Sequence, residues 1–114
     1  MVNRDMAVIA AFKLDRERET MRAHRRAFMQ AQMNLPATVP TYAHLLEQMD
    51  TIMMLRGTYD PIRKAWEDVA QFIRIHPDMI AFSAILRTEL GLTETEAETL
   101  LDDVFRAAML LDRA

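Results

Sequence analysis

The side chains with the chemistry for metal binding or acid–base catalysis are few and scattered. Three histidines, at positions 24, 44 and 76, fall on three different predicted elements, and no two of them share a helix face. His44 and Glu47 are three residues apart, a spacing that can bind a metal when a second helix supplies a matching pair. The sequence contains no second pair of this kind. We therefore expect no metal site, and His44 is interpreted as a partly exposed helix residue.

Nucleophilic and carboxylate chemistry is equally poorly supported. The adjacent acids Glu67-Asp68 and Asp102-Asp103 would point about 100° apart on a helix, so neither pair converges on one ligand, and a solvated face is expected for both. Ser83, the only serine, lies in an apolar segment without a predicted base or oxyanion donor. The chain has no cysteine and no glycine-rich phosphate loop. These observations predict a protein that is not an enzyme and needs no cofactor.

A dense basic patch is formed by Arg22, Arg25 and Arg26 with His24. Arginines on one helix face can bind the carboxylates of an acidic protein or the phosphates of DNA. The whole chain carries a net charge of −3, which disfavours DNA as the main partner. No tight-turned helix pair with a glycine precedes the patch, as a helix-turn-helix requires. A protein partner is preferred, and a DNA-binding or phage-type accessory protein is the alternative.

The elements that carry these residues read as helices. At 114 residues the chain has the size of one domain, and 1–114 is taken as a single helical domain. Prolines, glycines and capping residues divide it, and apolar residues repeat at three and four positions between the divisions. The prediction is an all-α fold, a small bundle of about five helices with a long N-terminal helix, over residues 4–33, 41–56, 61–75, 78–90 and 94–112.

The first predicted helix has an unusual distribution of apolar residues. Val8, Ile9 and Phe12 form a cluster, and the following residues 13–20 offer only Leu14. A helix with this pattern can join two packing surfaces. We expect residues 1–20 to form an arm that packs on a second subunit, with Val8, Ile9 and Phe12 as dimerisation residues of a homodimer. A break near Lys13–Asp15, with the tip folded back on its own chain, is the alternative.

Methionines are concentrated between residues 21 and 54, which hold six of the ten. Methionine adapts its shape and is common on binding surfaces, whereas aromatic residues and arginine are typical hot spots. The alternative is an ordinary core in which methionine fills gaps. The predicted partner-binding surface combines both classes of residue: Arg22, Arg25, Phe28, Met29, Met33, Tyr42, Leu45, Met49, Met53 and Met54.

The stretch of residues 21–36, MRAHRRAFMQAQMNLP, followed by a loop and a methionine-bearing helix, resembles the small all-helical quorum-sensing anti-activators of the TraM and QslA type. The resemblance covers residues 20–56. It implies a helical homodimer that binds a LuxR-type transcription factor and blocks its dimerisation or DNA binding. The resemblance implies that the residues involved in this binding are Arg22, His24, Arg25, Arg26, Met29 and Met33.

Apolar runs are too short for a membrane span. The segment Ala7–Phe12 is also too short for the core of a signal peptide, and a dense run of charges follows it. A cytoplasmic location is expected.

Overall fold

In the computed structural model, which describes residues 2–112, the chain is mostly helical with one small sheet. Met1, Arg113 and Ala114 of the predicted domain lie outside the described residues. In chain order the elements are α1 (Val2–Thr20), β1 (Arg22–His24), α2 (Arg25–Met29), α3 (Leu45–Met54), α4 (Pro61–Asp68), β2 (Gln71–Ile73), α5 (Pro77–Leu90) and α6 (Glu94–Asp112), with 3₁₀ turns at Ala31–Asn34 and Pro40–Tyr42.

Three helix boundaries follow from local sequence, as predicted. The Asp60 carboxylate accepts hydrogen bonds from the amides of Ile62 and Arg63 at 2.9 and 3.2 Å, which caps the start of α4. Thr93 and Glu96 exchange side-chain-to-amide hydrogen bonds of 3.0 and 3.1 Å at the start of α6. Gly91 ends α5 in the left-handed conformation, with φ 65°. The predicted helices over 78–90 and 94–112 are therefore confirmed.

The single long helix predicted over 4–33 is wrong beyond Thr20. The Thr20 hydroxyl donates to the Glu17 carbonyl at 2.7 Å in the last turn of α1. The chain then extends, and Arg22–His24 pairs antiparallel with Gln71–Ile73, so that Arg22 lies opposite Ile73. Ala23 is buried between the exposed Arg22 and His24. Pairing across the fold overrides the helix propensity of this segment.

Two further helices are shorter than predicted. The segment predicted over 61–75 is helical only to Asp68, because residues 71–73 form β2. The segment predicted over 41–56 begins as a 3₁₀ turn, and α3 starts only at Leu45. His44 precedes it with φ 55°. The fold is accordingly a mainly helical one that includes a two-stranded sheet, and the strictly all-α prediction is corrected.

The core surrounds α6, which packs against α2, α5, β1 and the turn Ala31–Asn34. Phe28 contacts Phe72 in a tilted arrangement and Phe105 edge-on, and Trp66 and Phe82 extend the aromatic cluster. Each of the five rings is at most 1% exposed. Within residues 2–112, no helix is both long and apolar enough to cross a membrane.

Candidate protein-interaction site

The feature that stands out on the surface is α1, which we call the arm. It is one continuous helix of 19 residues, about 28 Å long, without the break considered near Lys13–Asp15. Among residues 8–20 only Leu14 and Arg18 are partly covered, and all the others are exposed. The molecule measures 52 Å along its longest axis, against 33 and 28 Å across, as expected for a body that carries a projecting helix.

The base of the arm is held to α6 by ion pairs. The Arg18 guanidinium donates to both carboxylate oxygens of Asp102, with Nη2–Oδ2 at 2.8 Å and Nε–Oδ1 at 3.0 Å. Arg106 donates to Glu17 in the same two-pronged way, at 2.7 and 3.1 Å. Hydrogen bonding from Arg106 lowers the pKa of Glu17, and Coulombic attraction adds to this. Two bidentate pairs fix the orientation of the arm as well as its position.

Asp102 is the buried centre of this attachment. Its side chain also accepts from Arg74 Nε at 2.9 Å, and both residues are nearly inaccessible. Arg74 pairs in addition with Glu98, to which Ser83 Oγ donates at 3.2 Å. The solvated face expected for Asp102-Asp103 is therefore wrong for Asp102. Helix geometry places Asp102 outside the apolar stripe of α6, on the same polar side as an ordinary surface acid, so the local sequence carries no signal of its burial.

Tyr42 and Asp103 form a neighbouring pair beside this attachment. The Tyr42 hydroxyl donates to Asp103 Oδ2 at 2.5 Å, and Arg106 Nη1 donates to Asp103 Oδ1 at 3.0 Å. Burial, followed by the hydrogen bond to a carboxylate, raises the pKa of Tyr42. Arg106 thus links the arm to the body through Glu17 on one side and Asp103 on the other.

The tip of the arm, defined as Val8, Ile9 and Phe12, is exposed to solvent by 66%, 53% and 59%. Helix geometry places Glu17 about 140° from Phe12 in one direction and Arg18 about 120° from it in the other. The two anchoring side chains therefore flank the side of the helix opposite Phe12, and the half-buried Leu14 lies between them. The ion pairs hold the arm so that its apolar tip faces away from its own body.

Half of the predicted partner-binding residues form one cluster, but in the interior. Phe28, Tyr42, Leu45, Met49 and Met53 are all buried in the common core. A side chain without exposed area cannot contact a partner, so in this conformation these five are corrected to core residues. Their helical spacing is the same for a core face and for an interface, which is why the sequence could not separate the two.

The remaining predicted contact residues are spread over the surface. Met33 and Met54 are exposed, and Met29 is half-buried against the core. Arg22 lies on β1, and Arg25 begins α2 with its Nε donating to the Glu67 carbonyl at 3.2 Å. The predicted arginine patch on one helix face is therefore wrong. The DNA-binding alternative loses the recognition helix that it required.

A second exposed apolar surface was missed by the sequence analysis. In the loop between α3 and α4, Leu55 and Tyr59 are 82% and 90% exposed. Arg56 and Asp60 close this loop with two hydrogen bonds of 2.9 and 3.0 Å. Hydrogen bonding from Arg56 is the largest effect that lowers the pKa of Asp60, to about 2. No hydrogen bond or ion pair joins this loop to residues 8–20 of the arm, so Leu55 offers a control position away from the arm.

Metal chemistry finds no support in the part of the chain that the structure describes. His44 Nδ1 lies 3.9 Å from Glu47 Oε2, with both side chains largely exposed. Within residues 2–112 no group of three or more histidine, cysteine or acidic side chains could hold a metal ion.

No protein-family model, curated protein or solved structure matches this chain.

Proposed function

We propose that this protein acts by binding another polypeptide with the tip of its arm, as an inhibitor of protein–protein association rather than as an enzyme. The observation that carries the proposal is the exposure of Val8, Ile9 and Phe12 on a helix anchored with these residues facing outwards. Large apolar side chains clustered on one exposed helix face are typical of an interaction site. Covering each of them would contribute about 1.5–3 kcal/mol.

The binding mode that fits this geometry is a helix in a groove. Val8 and Phe12 are one turn apart, and Ile9 lies beside them, which is the spacing of anchors that such grooves accept. The ion pairs at Glu17 and Arg18 orient the helix before binding. Preorganisation of this kind reduces the entropy lost on association. An arm that fills the groove used by a partner's own helix would prevent that partner from assembling.

As the partner we propose a LuxR-type quorum-sensing transcription factor, which the protein would keep from dimerising or from holding DNA. This choice derives from the resemblance of residues 21–36 to quorum-sensing anti-activators. In this protein that stretch comprises β1, α2 and a 3₁₀ turn rather than one helix. The proposal of a LuxR-type partner therefore rests on the sequence resemblance alone. The proposal of an interaction function rests on the geometry of the arm.

The test is release of labelled operator DNA from a purified LuxR-type regulator of the organism that encodes this chain, followed by fluorescence anisotropy. The wild-type protein should release the DNA. Phe12→Arg should require at least about tenfold more protein, since it removes a buried aromatic contact. Leu55→Arg, at an exposed apolar position off the arm, should behave as wild type.

Each outcome has one meaning. If the wild-type protein leaves the regulator on DNA at every concentration, the anti-activator function is wrong. If both variants release DNA as well as the wild type does, the arm tip is not the binding element. Labelled DNA without regulator serves as the control, because direct binding that weakens steeply with salt would instead support the DNA-binding alternative.

A further inference from the structure

A pocket of about 200 Å³ opens on the body between α4, β2 and α5. Its apolar lining comes from Ala65, Val69, Phe72, Ile73, Met79 and Phe82. A cavity of about 150 Å³ with aliphatic and aromatic walls accommodates a benzene ring. This pocket is therefore large enough for one phenyl group, and its lining suits one.

The chain's own phenyl groups do not fill it. The side chains of Phe28 and Phe105 are buried elsewhere in the core, and Phe72 and Phe82 form the pocket walls. Phe12 is the remaining phenylalanine, and it is 59% exposed on the arm. No arm residue from position 8 onward lines the pocket, and the arm's anchors turn Phe12 away from its own body.

We propose that the pocket receives Phe12 of a second copy, so that two chains exchange their arms in a symmetric dimer. The inference rests on the proposed function, since it concerns the same arm tip: a second copy covers the tip in the free protein, and the regulator takes its place when it binds. In a two-fold dimer each arm enters the other copy's pocket, so the contact forms twice. An arm about 28 Å long is sufficient to reach across to a neighbouring molecule.

Charges beside the two apolar surfaces match. The Arg16 guanidinium lies over the Phe12 ring, 5.5 Å from its centre, so a pocket that accepts the ring has this charge close to its rim. Asp78 lines the pocket with a side chain that is 48% exposed. His76 lies 3.3 Å from it and is half-exposed. Seating of Phe12 therefore brings Arg16 of one copy towards Asp78 of the other.

Sedimentation velocity on the full chain tests the pocket. Wild type and Leu55→Arg should dimerise, whereas Phe12→Arg should weaken the dimer at least about a hundredfold, because the lost contact occurs twice. Ala65→Phe should weaken it comparably by placing a phenyl group in the pocket from its own helix. Circular dichroism of each variant verifies that the helices are retained.

A charge exchange tests the proposal while leaving the apolar lining of the pocket unchanged. Arg16→Glu and Asp78→Arg should each weaken self-association when alone, since both create like charges at the two contacts. Mixing the two variants should restore dimers, because each glutamate then meets an arginine on the other chain. A contact within one chain would not respond to mixing.

The outcomes separate this inference from the proposed function. If Phe12→Arg disrupts the dimer but Ala65→Phe and the charge variants do not, the arm binds another surface and the pocket assignment is wrong. A wild-type protein that stays monomeric throughout also overturns the inference, while release of DNA from the regulator would still support the proposed function.

Discussion

At the scale of single residues, Asp102 on α6 joins the arm to the segment that follows β2. It accepts hydrogen bonds from Arg18 on the arm and from Arg74, which follows β2, and only 3% of the residue is exposed. The attraction within such a group is opposed by the cost of removing charges from water. The net contribution of these ion pairs to the free energy of unfolding is consequently small. Removing one member costs more, because the other charges then stay buried with fewer partners.

Asp102→Asn should therefore lower the free energy of unfolding by about 3 kcal/mol, the lower end of the range for breaking a buried ion pair, because the buried Arg74 charge keeps Glu98 as a partner. Denaturant unfolding followed by circular dichroism measures this change. Asp68→Asn, on an exposed position of α4, is the matched control and should stay within about 0.5 kcal/mol of wild type. Equal effects of the two variants would show that Asp102 is not a structural centre.

At the scale of elements, the arm is a helix that depends on its attachment. A 19-residue helix with little packing is marginal in water. Few apolar contacts support it between residues 8 and 20, where Leu14 and Arg18 alone are partly covered. The Arg18–Asp102 and Glu17–Arg106 pairs therefore decide whether the helix stays ordered and which way its tip points. Stability within the chain should be lowest here and highest around α6.

Arg18→Ala should raise the rate of amide hydrogen exchange throughout α1 by about tenfold or more, since it removes a charge-assisted pair of hydrogen bonds. Exchange in α6 should change far less. Arg16→Ala, on the same helix but off the anchored face, provides the comparison and should leave α1 close to wild type. Uniform protection of α1 in both variants would mean that the ion pair does not hold the arm. Exchange is measured at protein concentrations at which the chain is monomeric, so that burial of the arm by self-association does not mask the effect.

At the scale of the whole molecule, the methionine-rich segment forms the core rather than the surface. Met49 and Met53 on α3 are completely buried among aromatic and leucine side chains, whereas Met33 is 72% exposed. The arm tip carries three large apolar side chains, Val8, Ile9 and Phe12, that are exposed together on one helix face. This arrangement moves the proposed interaction site from the middle of the chain to its N-terminal helix.

Met49→Ala should destabilise the fold by about 2–5 kcal/mol, because it leaves a cavity in a packed interior. Met33→Ala should change stability by less than about 0.5 kcal/mol. Thermal and denaturant unfolding of the two variants measure the difference. A stable Met49→Ala protein that has lost only partner binding would instead restore this residue to the interface predicted from the sequence.

The sequence by itself determined the features that depend on neighbouring residues. The caps at Asp60, Thr93 and Gly91 place the ends of α4, α5 and α6, because capping is completed within one turn of the chain. The predicted arm and its apolar tip also correspond to the observed α1 and to its exposed Val8, Ile9 and Phe12.

Only the tertiary structure decided what depends on residues far apart. The pairing of Arg22 with Ile73 converts a helical pattern into a strand, and it joins segments separated by some fifty positions. Contact with Arg18 and Arg74 buries Asp102, although its neighbours resemble a solvated acidic face. The apolar stripe of α3 is compatible with a core or an interface until the packing of α4 and of the turn Ala31–Asn34 covers it. In each case the stabilising free energy comes from contacts between residues far apart in the chain, which the local sequence does not encode.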